Sequence, residues 1–323
     1  MTTADLIGKI IQLVGGLAIF AAVIGLLLFF LDRAPKRGRD FWQLSAFLAP
    51  GLLLVTLGLI YPAIRTSVLS FTDSRGNWNG MDNFVWMFTQ PAILNTLLNT
   101  LIWVLLVPIL STVIGLAYAV FIDKSRGEKF YKALVFMPMA ISMVGAGIIW
   151  KFIYDYRAGG REQIGLLNQL VVLFGGEPVQ WIQTSPINTF LLIVVMIWIQ
   201  TGFAMVVLSA AIKAIPTEQI EAAQLDGTNA WERFLNVTVP GIRGSLVVVI
   251  TTISIATLKV FDIVRTMTAG NFGTSVIANE MYTQAFRAGE PGRGSALALV
   301  LFIMVLPIVI YNIRVMRKQR EIR

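Results

Sequence analysis

The 323-residue chain contains no cysteine and no histidine. Disulfide frameworks, thiolate nucleophiles, imidazole bases and the two commonest transition-metal ligands are thereby removed together, and most hydrolytic and redox chemistry goes with them. No catalytic residue and no metal site is expected. Charge is scarce as well, at 14% of residues against the roughly 25% usual for soluble domains. There are no ~10-residue segments of alternating polarity, the signature of an outer-membrane barrel. The Gly-x(4)-Gly-Lys-Ser/Thr loop that cradles phosphates is also missing, so the chain is not expected to hydrolyse ATP.

What is present is apolar sequence, 56% of the chain, gathered into blocks long enough for the ~30 Å hydrocarbon core, which takes roughly 20 helical residues. Seven blocks can be drawn, at about 7–31, 42–64, 93–122, 133–154, 187–212, 245–268 and 295–316. The expected fold is an all-α integral membrane protein with about seven transmembrane helices. Connecting segments alternate in basic content, 15 Lys and Arg on one side of the membrane against 6 on the other. Loop charge sets orientation, so the N-terminus is expected outside and the C-terminus in the cytosol. The net charge of +8 is accounted for by the same bias, and nucleic acid is not an expected partner.

The first block is longer than a signal peptide's 7–15-residue apolar region and lacks a basic start and a small-residue cleavage site, so it reads as a retained helix. The basic run Asp32-Arg33-Ala34-Pro35-Lys36-Arg37-Gly38-Arg39 follows it as a cytosolic linker, with topology anchoring its first reading and anionic lipid its second. Two domains result: 1–41, helix and linker, and 42–323, the main membrane domain with a cytosolic loop at 213–244. On the outer side, the Gly-rich segment 155–186 surrounds an apolar stretch, Leu166 to Phe174, too short to span; a scoop or interfacial helix is expected there.

The loop between the fifth and sixth blocks carries most information. Pro216 and Thr217 are a helix start, Glu218 suits the first turn, and Gly227 supplies a left-handed stop. Thr228 or Asn229 can cap a second short helix running toward Pro240. Ala222 and Ala223 permit close approach of another surface, and Glu221 offers a carboxylate to a basic partner. An amphipathic connector resting on the bilayer is the competing reading.

Glu221-Ala222-Ala223, three residues, Gly227, nine residues, then Val237-Thr238-Val239-Pro240 resembles the signature loop of ABC importer membrane subunits, Glu-Ala-Ala…Gly…Ile-x-Leu-Pro. The two valines depart from that pattern but keep its apolar character. The likeness extends over roughly residues 44–316 and is closest to the maltose-type sugar permeases. It is carried by Tyr61-Pro62, Ser70-Phe71-Thr72-Asp73, Asn83-Phe84, Asn99-Thr100, Phe136-Met137-Pro138, Trp198 with Phe203-Ala204-Met205, Lys259-Val260-Phe261-Asp262, Thr268 with Gly270, and Ser295-Ala296-Leu297. Family members often have Gly-Gly-Pro after that threonine, where this chain has Ala269-Gly270-Asn271.

The resemblance implies a six-helix type I ABC importer core plus one extra N-terminal helix, in a bacterial plasma (inner) membrane. Two permeases, expected to be different chains, would form the pathway. Two ATPase subunits would use ATP and Mg beneath them, and an external binding protein would deliver the sugar; this chain itself would carry no cofactor. Docking to the ATPase would fall to Glu221, Ala222, Ala223, Asp226, Gly227 and Pro240. Sugar contact needs polar and aromatic groups together, and Asn95, Asn99, Tyr118, Trp198, Gln200, Asp262 and Tyr282 are the candidates. Interhelical hydrogen bonding for the amides and interface belts for the rings are the structural alternatives. Lys259, Asp262 and Arg265 fall three apart on the sixth block and are expected to form a structural ion cluster rather than to touch sugar. A permease for another polar solute is the alternative substrate reading. An ion-coupled secondary carrier is disfavoured because no inverted repeat is evident.

Overall fold

The computed structural model describes residues 3–32, 39–123 and 125–321. Helix is the regular structure throughout, and extended pairing among those residues is limited to an isolated bridge between Thr72 and Trp78. A bilayer core offers backbone groups no water, so a chain this apolar satisfies them inside helices. The chain divides into two compact units, Met1–Thr66 and Ser67–Arg323.

In the first unit are α1 (Thr3–Asp32) and α2 (Arg39–Val55), which runs through a π-helical turn (Thr56–Ile60) into α3 (Tyr61–Leu69), whose last three residues belong to the second unit. Ile11, Leu13, Leu17, Phe20 and Leu28 of α1 are all exposed. A helix that turns apolar side chains outward all round is suited to lipid. The basic linker expected after α1 falls largely on residues 33–38, outside the described residues.

The second unit continues with α4 (Asp82–Thr89), α5 (Pro91–Ile122), α6 (Glu128–Phe136), α7 (Met143–Ile153), α8 (Leu166–Leu173) and α9 (Ile187–Lys213). Three short helices follow, α10 (Thr217–Leu225), α11 (Ala230–Arg233) and α12 (Val239–Gly241), then α13 (Arg243–Leu258), α14 (Asp262–Met267), α15 (Ile277–Tyr282) and α16 (Pro291–Glu321). Among the described residues four helices are long and apolar enough to cross a membrane: Gln43–Leu69, Pro91–Ile122, Ile187–Lys213 and Pro291–Val315. Two bent pairs pass the same test together, Glu128–Ala140 with Met143–Ile153 at 100° and Ala230–Gly241 with Arg243–Leu258 at 68°. The spans therefore number four, or up to six if each bent pair is one, against the seven expected; α1 adds a shorter apolar stretch at Ile11–Gly25.

The first bend has a local cause. Pro138 can neither donate an N–H nor continue an α-helix without clashing with the preceding turn, so the chain tightens into a 3-10 turn over Met137–Ala140. Ser142 then starts α7 afresh, its Oγ accepting the Gly145 N–H at 3.0 Å. The block expected at 245–268 is also interrupted: α13 stops at Leu258, and Asp262 opens a separate helix. Between α7 and α9, the segment 155–186 folds around the side chain of Asn168. Its Nδ2 donates to Asp155 O and Val179 O, and its Oδ1 accepts from the Val179 N–H and Trp181 Nε1.

Packing centres on α5 against α9. Trp103 and Val107 of α5, Leu192, Met196, Met205 and Leu208 of α9, and Ile253 of α13 are fully buried. The two long helices approach closely because Gly115 has no side chain: a Cβ there would lie 2.6 Å from Ala204 Cβ and 2.8 Å from Met205 N. Small residues at such contacts let backbones meet in lipid, where dispersion rather than water exclusion holds helices together. Gly202 does the same toward α6, where a Cβ would lie 2.7 Å from Val135 O. At the N-terminal end of α5, a second core of Met87, Ile93, Ile277, Ala296 and Leu297 joins α4, α5, α15 and α16.

Candidate functional site

The two ends of α5 carry different chemistry. At its C-terminal end, Lys213 of α9 reaches Glu128 Oε1 at 2.5 Å and Asp123 Oδ1 at 3.4 Å, and Lys132 meets Glu128 at 2.6 Å and Ser209 Oγ at 2.5 Å. This network ties α5, α6 and α9 together three residues before the signature loop begins. Ile215, 8% exposed, then anchors the loop's first strand of chain against Gly241, where a Cβ would lie 3.2 Å from its Cδ1.

Within the loop the expected helix-turn-helix is present. Gly227 takes φ +78°, and two bonds close the end of α10: Gly227 N–H to Gln224 O at 3.1 Å and Thr228 N–H to Ala223 O at 3.2 Å. This is a Schellman closure, which satisfies carbonyls that a helix end leaves open. Asn229, not Thr228, caps α11. Its side chain accepts the Glu232 N–H at 2.9 Å while Glu232 accepts the Asn229 N–H at 2.8 Å, a reciprocal capping box. Arg233 bonds Thr228 O at 2.8 Å across the turn. The loop is thus closed by its own hydrogen bonds. Glu221, Ala222, Asp226, Gly227 and Pro240 are exposed, and Ala223 is half-buried. Leu225 at 89% and Trp231 at 66% exposure, the latter stacked on Phe234 at 5.4 Å, extend this face. Sequence reasoning passed over both, although each is a large apolar residue at the edge of a polar helix; together they give the loop an exposed apolar edge.

The seven pathway candidates do not converge. Asn95 and Asn99 act together on the backbone of the turn after α14: Asn95 Nδ2 donates to Gly273 O at 2.8 Å, and Asn99 Nδ2 to Gly273 O at 2.6 Å and Ser275 O at 3.0 Å. Asn188 adds a bond to Phe272 O at 2.9 Å, and Thr100 Oγ1 accepts the Ile277 N–H at 3.0 Å. These polar side chains join α5 and α9 to that turn. Trp198 packs edge-on to Trp150 at 5.6 Å, while Gln200, two residues along α9 and mostly buried, makes no hydrogen bond among the described residues. Tyr118 is 43% exposed and stands apart on α5. Asp262 and Tyr282 lie in a third region, where Phe261 meets the Tyr282 ring at 5.3 Å.

One expectation is corrected. The helix break at Lys259–Phe261 separates Lys259 from Asp262 and Arg265, and although those two lie three apart within α14, no ion pair forms among the three within the described residues. Arg265 instead lies over the ring of Tyr282, 4.9 Å from its centroid.

The turn held by the asparagines is strained. Ala269 and Phe272 both take φ +57°, a left-handed conformation that crowds any Cβ. Ala269 holds a bend that suits glycine and bears its cost. We expect Ala269→Gly to raise stability by about 1 kcal/mol, read as an upward shift of the thermal midpoint in detergent, and Ala269→Val to lower it.

Fold and loop together define a multi-spanning membrane transport component. Residues 111–321 match the family described as binding-protein-dependent transport system inner membrane component. The chain is 52% identical over 270 residues to the alpha-glucoside transport system permease protein AglF of Rhizobium meliloti, covering 83% of this chain and 80% of that protein. It is 48% identical over 278 residues to the osmoprotective compounds uptake permease protein GgtC of Synechocystis, covering 86% and 100%. Its fold is similar to a chain of a bacterial ABC transporter that imports the acidic polysaccharide alginate, with TM-score 0.75 at 22% identity over 88% of this chain and 98% of that one. The chain belongs to the binding-protein-dependent transport system inner membrane component family. It is a multi-pass inner-membrane protein and a transport permease, not an enzyme.

Proposed function

We propose that this chain forms half of the solute pathway of an ATP-driven, binding-protein-dependent importer for a di- or oligosaccharide. The observation that carries the reading is the signature loop: a self-capped, exposed helix-turn-helix whose Gly227 adopts the left-handed bend its spacing requires. In this reading ATPase subunits receive α10 in a cleft and supply ATP and Mg, a second, different permease completes the pathway, and an external binding protein delivers the sugar. ATP closes the ATPase dimer, the docked loops move together, and the membrane helices rock between inward-open and outward-open states. The sugar follows from the names of relatives, which include alpha-glucoside, trehalose/maltose and lactose systems. Another polar solute is the second reading, favoured by the relative named for osmoprotective compounds. Residues 42–323 are the transporter domain, and 1–41 an added membrane helix with its linker.

The termini are proposed to lie outside (N) and in the cytosol (C), with the loop cytosolic, on the 15-to-6 basic asymmetry. Gln219→Cys tests orientation and docking together, since the wild type has no cysteine. An impermeant thiol reagent should leave it untouched in intact cells and modify it in inverted vesicles, and adding the ATPase subunits should protect it. Labelling in intact cells would reverse the topology; labelling undiminished by the ATPase would remove the docking role.

A further inference from the structure

The segment between α7 and α9 holds a helix that is built inside out. The polar Asn168 of α8 is fully buried in the hydrogen bonds that hold the segment together, while Leu166, Leu170 and Phe174 face outward along one stripe at i, i+4 and i+8. Phe174 is 86% exposed and Leu166 52%. A helix on a water-facing surface turns its apolar stripe toward the core instead. Here the stripe borders an apolar groove of about 400 Å³ between α8 and Trp181, lined by Leu167, Leu170, Val171 and Phe174. Charge collects on another side, where Arg157, Arg161, Glu162 and Glu177 line a hollow of about 680 Å³ with Gln169 and Leu173.

What covers the stripe follows from where α8 is fixed. Asn168 Nδ2 donates to Asp155 O at 2.8 Å, and Gly165 packs so tightly on the same residue that a Cβ would lie 2.2 Å from Asp155 O. Asp155 comes two residues after α7 ends, and Tyr154 donates to Leu191 O near the start of α9 at 3.3 Å. The helix therefore sits at the level where two membrane helices end, at the opposite end of α9 from the signature loop. Both ends carry exposed apolar side chains, Phe152 on α7 and Ile187 and Phe190 on α9, so lipid reaches that depth. Trp181 donates its indole N–H to Asn168 Oδ1 at 3.0 Å while its ring borders the groove, the polar tip and apolar body of an interfacial belt residue.

We infer that α8 is a surface anchor: it lies along the bilayer on the face opposite the signature loop, with Leu166, Leu170 and Phe174 among the acyl chains and Arg157, Arg161, Glu162 and Glu177 in water. The partner is the lipid surface itself. A protein landing site here would need to rise clear of the helix ends, whereas α8 is bonded down onto one of them. Of the two forms the sequence allows for this segment, a scoop or an interfacial helix, the buried Asn168 and the outward stripe select the second. Anchored in this way, the ends of α7 and α9 keep a fixed depth while the loop end of the bundle moves.

Nitroxide labels test the anchor in the assembled transporter, its partner subunits made free of cysteine, in vesicles of phosphatidylethanolamine and phosphatidylglycerol. This chain has no cysteine of its own, so Leu170→Cys, Phe174→Cys, Glu162→Cys and Glu177→Cys each place a single label. Collisions with oxygen, which concentrates in lipid, are compared with collisions with an aqueous nickel chelate. Labels at positions 170 and 174 should favour oxygen and lie about 5–10 Å into the boundary between headgroups and acyl chains. Those at 162 and 177 should favour the chelate. All four side chains are exposed, so no core contact is lost, and two positions on each side keep the pattern readable if one variant fails to assemble. Chelate access as high at 170 and 174 as at 162 and 177 would overturn the anchor. So would shielding of 170 and 174 from both reagents, which would put a protein over the stripe: the second permease if it is constant, the binding protein if it comes only when that protein is added.

Discussion

Replacing Gly227 with proline is expected to abolish sugar uptake while leaving the protein in the membrane at normal amounts. Gly227 sits at φ +78° and its N–H bonds Gln224 O, whereas proline holds φ near −65° and has no N–H. The penalty of about 3 kcal/mol or more falls on the one turn that aims α10 against α11. At roughly tenfold per 1.4 kcal/mol, the docking-competent loop would fall about a hundredfold in population. A graded series strengthens the test: Gly227→Ala accepts the left-handed bend at about 1 kcal/mol and should transport slowly. Glu221→Lys, which leaves the fold of the loop alone and reverses the charge on its exposed face, should also uncouple sugar from ATP hydrolysis. Normal uptake and normal sugar-stimulated ATPase in both Gly227→Pro and Glu221→Lys would mean that the loop does not transmit the motion.

The second large effect is structural. Gly115→Val should drive α5 and α9 apart, because the new Cβ alone would meet Ala204 Cβ at 2.6 Å and the Met205 backbone at 2.8 Å, and helix backbone cannot turn aside as a side chain does. Overpacking costs about 1–3 kcal/mol, and a backbone obstacle puts this site at the upper end. A loss of about 3 kcal/mol lowers the thermal midpoint by roughly 4–5 °C for a chain of this size. Gly51→Ala is the control: nothing lies within 4 Å of its Cβ position, and alanine favours helix, so no loss is expected. Equal midpoints for the two variants would mean that the α5–α9 contact is looser than the geometry states.

What was legible in the sequence is what depends on neighbours along the chain. Apolar blocks mark helices because the bilayer requires it, and Pro216, Gly227 and Asn229 announce the signature loop because caps and stops are local chemistry. The break before Asp262 was not legible. Leu258-Lys259-Val260-Phe261 contains no helix breaker, and the chain bends where Val260 buries itself and Phe261 finds Tyr282, a residue 21 positions away. The i, i+3 argument for an ion cluster assumed a continuous helix and failed there for Lys259, while Asp262 and Arg265 stay on one helix but Arg265 turns to the Tyr282 ring. Asn95 and Asn99 were recognised as polar groups in an apolar helix, yet their partners at Gly273 and Ser275 lie more than 170 residues on, and nothing local reveals such pairing. Gly115 is one small residue in a 32-residue apolar helix, and its role exists only once Ala204 is opposite it.

The central claim, that this permease moves sugar with energy borrowed from partner ATPase subunits through the Glu221–Gly227 loop, is tested most directly by sugar uptake into proteoliposomes. The vesicles hold the chain with its partner permease and ATPase subunits. Uptake of the cognate sugar should require ATP on the face bearing the loop and binding protein on the opposite face, and should ignore imposed proton or sodium gradients. Uptake driven by such a gradient, without ATP or binding protein, would contradict it.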